Sequence, residues 1–599
     1  MTDSRGPSDR RRVRSRIAEA ARWGVLTVLL VAAGFVIWVV VDFRTVRDDL
    51  LTAQTQTIAV QDAIQSGDQA AIDRAIEEVR TSSSSAVAAG DRLPLRWASA
   101  VPWAGAPVVT VRDLSVAADE LSRTVLPPAA GAARDVLAQP LVTDGRVDLR
   151  ALQSADRPLQ SALTSAGEVD DRVRRVRDDT WLSQVNSAAA GFRRDLDTLR
   201  SILLSAQRAV RLLPAMLGDD GRRTIAVVVQ NPAEARATGG LPGAVVVLTA
   251  ENGRITEQRT LTDLAVPPSR PVDLGAPYSQ LYGDFEPTSI WQNSNLSPHF
   301  PYAARIWQSL AVQQTGLRPD IVVGVDPQVL AGVLASIGPI STSDGTVVTA
   351  ENVVRLTESD VYARFDDNRS GRKGYLGEVA ERALSRVLSG RLELGGLAGA
   401  VRDAVAQSRV AVWSARPDEQ VDLAATTLAH VTPYSPTPYA AIVVNNAYGS
   451  KLDYYLDRDI DYRYGLCTDE RQAVRVDVTL TNTVPAQSIT RLSPEVLGTY
   501  LPGSGSIPRG DNKVSVYLHS SWGSSVTRVS VNGQPVGFGT GSELGHPVTV
   551  AVATLPPQTP VTVQFDLSEP RSGLPVTMAT QPLTRPAQTI VAGARCGPP

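Results

Sequence analysis

Hydrophobic positions along the chain change their spacing twice, and each change marks a different kind of element. The first pattern is an unbroken run: WGVLTVLLVAAGFVIWVVV, Trp23 to Val41, has 19 residues without a charge. As a helix it covers about 28 Å, close to the hydrocarbon thickness of a bilayer, and Trp23 and Trp38 suit the two interfaces. From Arg44 to about Leu213 apolar residues recur at helical spacing, as in Ile72, Ile76 and Val79, or Leu149, Leu152, Leu159 and Leu163. Breaks at Gly67-Asp68, Pro102 to Pro107, Pro127-Pro128 and Asp144-Gly145 predict several antiparallel helices in place of one coiled coil.

From Thr224 the period changes. TIAVVV reads as a buried strand, and GAVVVLTA-ENG-RITEQRTL as a hairpin turning at Asn252-Gly253. Helix and strand then alternate. PYAARIWQSLAVQQTG is helical and DIVVGV a strand; Asp326-Pro327 opens a helix with a cap and an N1 proline. GYLGEVAERALSRVL is a helix with Leu376, Val379, Leu384 and Val387 on its apolar side. RVAVWS and AAIVVNN close this α/β region. After about Asp453 the chain alternates apolar and polar residues in VRVDVTL, KVSVYLHSSW, PVTVAVATL and VTVQFDL, with Pro- and Gly-rich turns between them. The expected fold class is therefore multi-domain α+β. A cytoplasmic tail (1–22) precedes a transmembrane helix (23–41), an antiparallel helical bundle near the membrane (42–215), an α/β core domain with a mixed sheet (222–448) and a β-sandwich (449–599).

Charge decides the orientation. Seven arginines, from Arg5 to Arg22, precede the apolar run, so the tail stays cytoplasmic and the bulk is extracytoplasmic, anchored once in the plasma membrane. A cleaved signal peptide is the competing reading, but the run ends in VVVDFRTVRDD without a small-residue cleavage site. A helix leaving the membrane over 42–66 rises about 36 Å and a return over 69–97 descends about 42 Å, which brings Trp97 and Trp103 back to the lipid surface. Packing of both rings into the bundle is the alternative. Cys467 and Cys596 are the only cysteines; exported thiols tend to pair, and free thiols are the other possibility. A net charge of −3 gives no reason to expect nucleic acid as a partner. The four histidines are scattered, so no metal site is expected.

Candidate chemistry lies in two segments. In QNPAEARATGG, Arg236 offers a bidentate fork, and Thr238, Gly239 and Gly240 could form a backbone nest for an anion. RFDDNRSGRKGYLGE adds Arg364, Arg369, Arg372 and Lys373 ahead of a helix N-terminus. The competing reading is a strand connector whose arginine pairs with Glu234. Tyr454, Tyr455, Tyr462 and Tyr464, flanked by Asp453, Asp457, Asp459 and Asp461, either hold a sugar or Ca²⁺ or pack a domain junction. Catalytic residues are unknown: no G-x-S-x-G, Walker or dinucleotide motif occurs.

Five segments resemble the domain-of-unknown-function 4012 family of bacterial membrane-anchored envelope proteins: Gln230–Ile255, Trp291–Trp307, Asp320–Ile340, Tyr362–Leu376 and Lys451–Arg463. A weaker likeness links the Arg-bearing loop, the DPxxLxxxLxxxG-type helix and the Arg-rich segment to the LytR–CpsA–Psr cell-wall ligases. That likeness implies polyprenyl-pyrophosphate substrates held by arginines and a metal; where those enzymes supply an Asp, this loop has Asn231 and Glu234. The expected role is a non-catalytic scaffold, or a binder of an anionic wall polymer or lipid-linked polymer, with membrane lipid as a partner. The alternative is a divergent glycan-polymer phosphotransferase. No cofactor is expected, and Mg²⁺ enters only with that alternative.

Overall fold

The computed structural model describes residues 69–101, 105–137, 142–261, 270–366, 368–389, 394–498 and 507–597. The tail, the 23–41 anchor and Trp103 lie outside the described residues. Among the described residues no helix is long and apolar enough to cross a membrane. The chain has a mixed α+β, multi-domain architecture and divides into two compact units, 1–139 with 150–211 and 140–149 with 212–599.

The first unit is helical. Its helices include Gln69–Gly90, Ala106–Glu120, Leu126–Leu137 and Asp156–Arg174. Their cores use the positions that the period selects: Ile72, Val79, Leu114, Val125, Leu159 and Leu196 are all buried. Trp97 stands 70% exposed, so packing into the helices does not account for it. One expected helix break proves to be something else. Asp144 (φ 50°) and Gly145 (φ 71°) make a tight hairpin between strands Val142–Thr143 and Arg146–Val147, which join the sheet of the second unit. Two consecutive positive φ angles suit a two-residue hairpin turn, and Gly145 adopts its angle without a Cβ penalty. The 42–215 stretch is thus not helical throughout.

The second unit begins with a seven-stranded sheet. Its main strands are β1 (Arg223–Arg236), β2 (Gly239–Glu251), β3 (Arg254–Leu261), β4 (Ile321–Val325) and β5 (Ala411–Ser414). The order runs from the small hairpin through β3, β2 and β1 to β4 and β5. β1 pairs antiparallel with β2 and parallel with β4, so the sheet is mixed. β2 turns into β3 at Asn252 (φ 49°) and Gly253 (φ 77°), as the dipeptide predicts. The alternation along β1 and β2 sends two sets of side chains to opposite faces. Ala226, Val228, Val245 and Val247 pack on α1 (Phe300–Thr315) through Phe300, Ile306 and Trp307. The other face looks toward α2 (Pro327–Ile337) and α3 (Arg369–Ser389). Asp326 caps α2 by accepting from the Gln328 and Val329 amides at 3.0 and 3.1 Å.

Two further sheets, of five and six strands, share one core. Val444, Val516 and Ala551 from the first meet Val476, Val563 and Phe565 from the second. The strand Tyr439–Asn446, expected to close the α/β region, instead pairs with Asn512–His519 in the five-stranded sheet. Its side chains are buried on both faces, which is why its sequence lacks the alternation of its partners. Cys467 and Cys596 form a disulfide with Cα atoms 6.0 Å apart. It ties the end of the strand Leu456–Cys467 to the C-terminal tail, just after Gln588–Ala592 pairs with that strand.

Candidate functional site

Between the sheet and α3 lies a cavity of about 340 Å³. Its floor is the second face of the sheet, with Val227, Val229, Ala244, Val246 and Leu248; α2 adds Val329, Leu330 and Val333. The opposite wall is one face of α3. Arg369, Arg372 and Lys373 stand on its first turn, followed by Leu376, Val379, Ala380, Ala383, Leu384 and Val387. The steps of three and four residues put all nine on one side of the helix. From Leu376 to Val387 the apolar stretch is about 17 Å long at 1.5 Å per residue. The amphipathic face read from the sequence therefore borders a void where a filled core is the norm.

The cationic end of this trench is built by distant segments. Arg372 is 4% exposed. Its Nη2 donates to Glu495 Oε1 at 2.6 Å, and its guanidinium lies 5.0 Å from the Tyr362 ring centroid. Arg372 Nη1 is buried with no hydrogen-bond partner. Tyr362 is held in turn by Asn231, whose Nδ2 donates to the phenol oxygen at 2.8 Å. Lys451, 5% exposed, lies 6.0 Å from the centroid of the same ring and donates to Glu234 Oε2. Burial works against the charge of both partners. Their mutual attraction outweighs it, so Lys451 sits above its ordinary pKa, and Glu234, which also faces Arg236, sits below its own. Arg369 is exposed at the rim and makes no hydrogen bond or ion pair among the described residues.

The expected anion residues thus divide. Arg369, Arg372 and Lys373 meet at the mouth of the trench. Arg236 does not line it: Nη2 donates to Glu234 Oε1, Nε to the Gln292 carbonyl and Nη1 to the Ala235 carbonyl, each at 2.9 Å. Its contribution is to position Glu234 and, through it, Lys451. Thr238 is buried and donates to Gln230 Oε1 at 2.6 Å. Gly239 and Gly240 belong to the β1–β2 ladder, opposite Arg236 and Ala235. A Cβ on Gly240 would come within 2.1 Å of the Asn231 carbonyl carbon, so that glycine serves close backbone passage beside the bulge at 232–234. Asp453 holds the bulge by accepting from the Ala235 amide at 2.8 Å. Arg364 pairs outside the trench with Asp344 and stacks 4.7 Å from the Tyr375 centroid.

Sequence reasoning missed Asn231, Tyr362 and Lys451 as a group. One available signal was rarity: Lys373 and Lys451 are two of only three lysines in the chain, and both line the trench. The tyrosines also divide. Tyr462 donates to Glu569 at 2.8 Å inside the β core, while Tyr454 and Tyr455 border a smaller cavity beside the trench. Among the described residues no group of three or more His, Cys, Asp or Glu is arranged to hold a metal ion.

Comparison with known proteins gives little beyond the family. No curated protein matches the chain. The crystal structure of protein gbs0355 from Streptococcus agalactiae is similar at 13% identity, over 36% of this chain and 76% of that one, with a TM-score of 0.20. These findings add nothing to the LytR–CpsA–Psr likeness. All five segments that carry the family resemblance contribute a residue to the trench lining. Residues 220–362 match the family model described as Protein of unknown function (DUF4012), which is the family the sequence resembles.

Proposed function

We propose that this protein binds an anionic, lipid-linked molecule of the cell envelope, with the hydrocarbon tail in the trench and the phosphate at its cationic mouth. The observation that carries the reading is the single face of α3, three cations followed by six apolar side chains along an open cavity. The trench opens to solvent and its walls are mostly apolar, so without a ligand they leave hydrophobic surface against water at a free-energy cost. An apolar occupant removes that cost, and the buried, unpartnered Arg372 Nη1 finds an acceptor in a phosphate oxygen. The apolar stretch of α3, about 17 Å long, is comparable to the roughly 15 Å of one leaflet's hydrocarbon, half of a core of about 30 Å.

Under this proposal residues 23–41 anchor the chain once in the plasma membrane, with the N-terminus cytoplasmic and the bulk extracytoplasmic. The helical bundle follows the anchor along the chain, and the α/β domain and the β-sandwich come after it. A lipid binder needs the proximity that such an anchor provides. The phosphotransferase alternative asks for carboxylates to hold Mg²⁺ at the phosphate. Asp326 and Glu495, the two acidic residues lining the trench, are engaged by Arg409 and Arg372, which favours binding over transfer. The test is titration of the full chain in detergent with a long-chain polyprenyl phosphate and with inorganic phosphate. Saturable binding of the lipid, weakened severalfold by Arg369→Ala and far exceeding that of inorganic phosphate, is expected. Wild-type protein that shows no saturable binding of the lipid would refute the proposal.

A further inference from the structure

Beside the trench lies the smaller cavity, of about 80 Å³. Its walls come from the π-helical turn Leu356–Asp360, the turn Leu452–Tyr455 and residues between 491 and 496. Lys451 lines both cavities, so it stands at their boundary. The π-turn separates two neighbours: Thr357 lines the trench and Glu358 the smaller cavity. Turns of this kind recur at functional sites.

Glu358 is the unusual group here. It is 1% exposed; Oε2 accepts from the Thr584 hydroxyl, and Oε1 is buried without a partner. Burial pushes its carboxyl up to about 8, so at neutral pH it keeps its proton and can both donate and accept. Asp326 and Arg409 act on it from behind with opposite signs. Tyr454 and Tyr455 stand at right angles with centroids 5.0 Å apart, and neither phenol oxygen has a hydrogen-bond partner among the described residues. Lys451 is compensated by Glu234, and Asp360 by Arg355. The cavity is therefore rich in hydrogen-bonding groups, and Arg491, exposed at its edge, is a lining cation with no acidic partner among the described residues.

We infer that this cavity is a glycosyl subsite, receiving the first sugar attached to the phosphate that the trench mouth holds. The inference rests on the lipid-binding proposal and extends it past the phosphate. A carboxyl group and two phenols suit hydroxyl groups, and tyrosine rings present apolar faces to the C–H side of a pyranose.

The full chain in detergent is titrated with a polyprenyl phosphate and with the same lipid bearing one glucosyl unit on its phosphate. The glucosyl lipid should bind about tenfold tighter, the equivalent of two ordinary hydrogen bonds. Glu358→Leu and Tyr454→Phe should each cut that ratio severalfold while the bare lipid binds as before. Tyr454→Phe removes only an oxygen from a part-exposed ring, so it serves where Glu358→Leu fails to fold. Equal affinities in wild type overturn the subsite and leave lipid binding intact. A ratio untouched by the substitutions overturns the location. No saturable binding of either lipid overturns both readings.

Discussion

Filling the trench from its own wall separates a binding cavity from a packing defect. Ala380 sits midway along the apolar face of α3 and lines the void. In Ala380→Phe the added ring enters space that is already open, so its burial should stabilise the ligand-free protein by about 1.5–3 kcal/mol. The poorer helix propensity of Phe takes back about 0.5 kcal/mol, which leaves a net gain of about 1–2.5 kcal/mol. At about 2 °C per kcal/mol for a large domain, the ligand-free melting temperature should rise by roughly 2–5 °C. The ligand response should move the other way. Wild-type protein at a hundredfold excess of polyprenyl phosphate over Kd gains about 2.7 kcal/mol, or roughly 5 °C; the variant, its trench blocked, should gain almost none. Differential scanning calorimetry of delipidated protein, with and without the lipid, reads both effects. A destabilised variant would mean that the wall has no room to spare. A variant that is more stable yet keeps the full lipid-induced shift would place the tail elsewhere.

Further expectations concern the groups around the site. Arg236→Ala should lower stability by about 3–5 kcal/mol in chemical denaturation, because it leaves the buried Glu234 with Lys451 alone; Arg369→Ala should be close to neutral there. Glu543 is buried beneath Tyr282 and Ser297, and burial pushes its carboxyl up to about 7. A raised carboxyl pKa stabilises fully below the unfolded value near 4.5 and loses that contribution as pH rises through about 7. Between pH 5 and 8 wild type should therefore lose about 2–3 kcal/mol relative to Glu543→Gln, and parallel pH profiles for the two proteins would contradict this. Removing the disulfide by Cys467→Ser with Cys596→Ser opens a loop spanning 129 residues and should cost about 5 kcal/mol in the chain-entropy model. Hydrogen exchange should then rise first in Gln588–Ala592, and unchanged protection there would show that the strand does not depend on the bridge.

Local order was legible because it obeys local rules. The helical period marked Ile72, Leu114 and Leu159 as core, the Asn252-Gly253 turn needed residues that tolerate positive φ, and Asp326 capped the helix it precedes. Leu376, Val379, Leu384 and Val387 were visible as an apolar face. Periodicity reports only that a face avoids water. It does not say whether side chains or empty space lie opposite, and here it is space. Tertiary structure also decided the fate of the charges. Arg236 and Arg372 look alike in sequence, yet the first is surrounded by Glu234 and backbone carbonyls while the second keeps a donor free at the cavity. Glu234 and Lys451 are 217 residues apart, and no local pattern could pair them. Hydrophobic spacing along one segment is set by that segment's own geometry, whereas an ion pair or a void exists only once distant segments have come together.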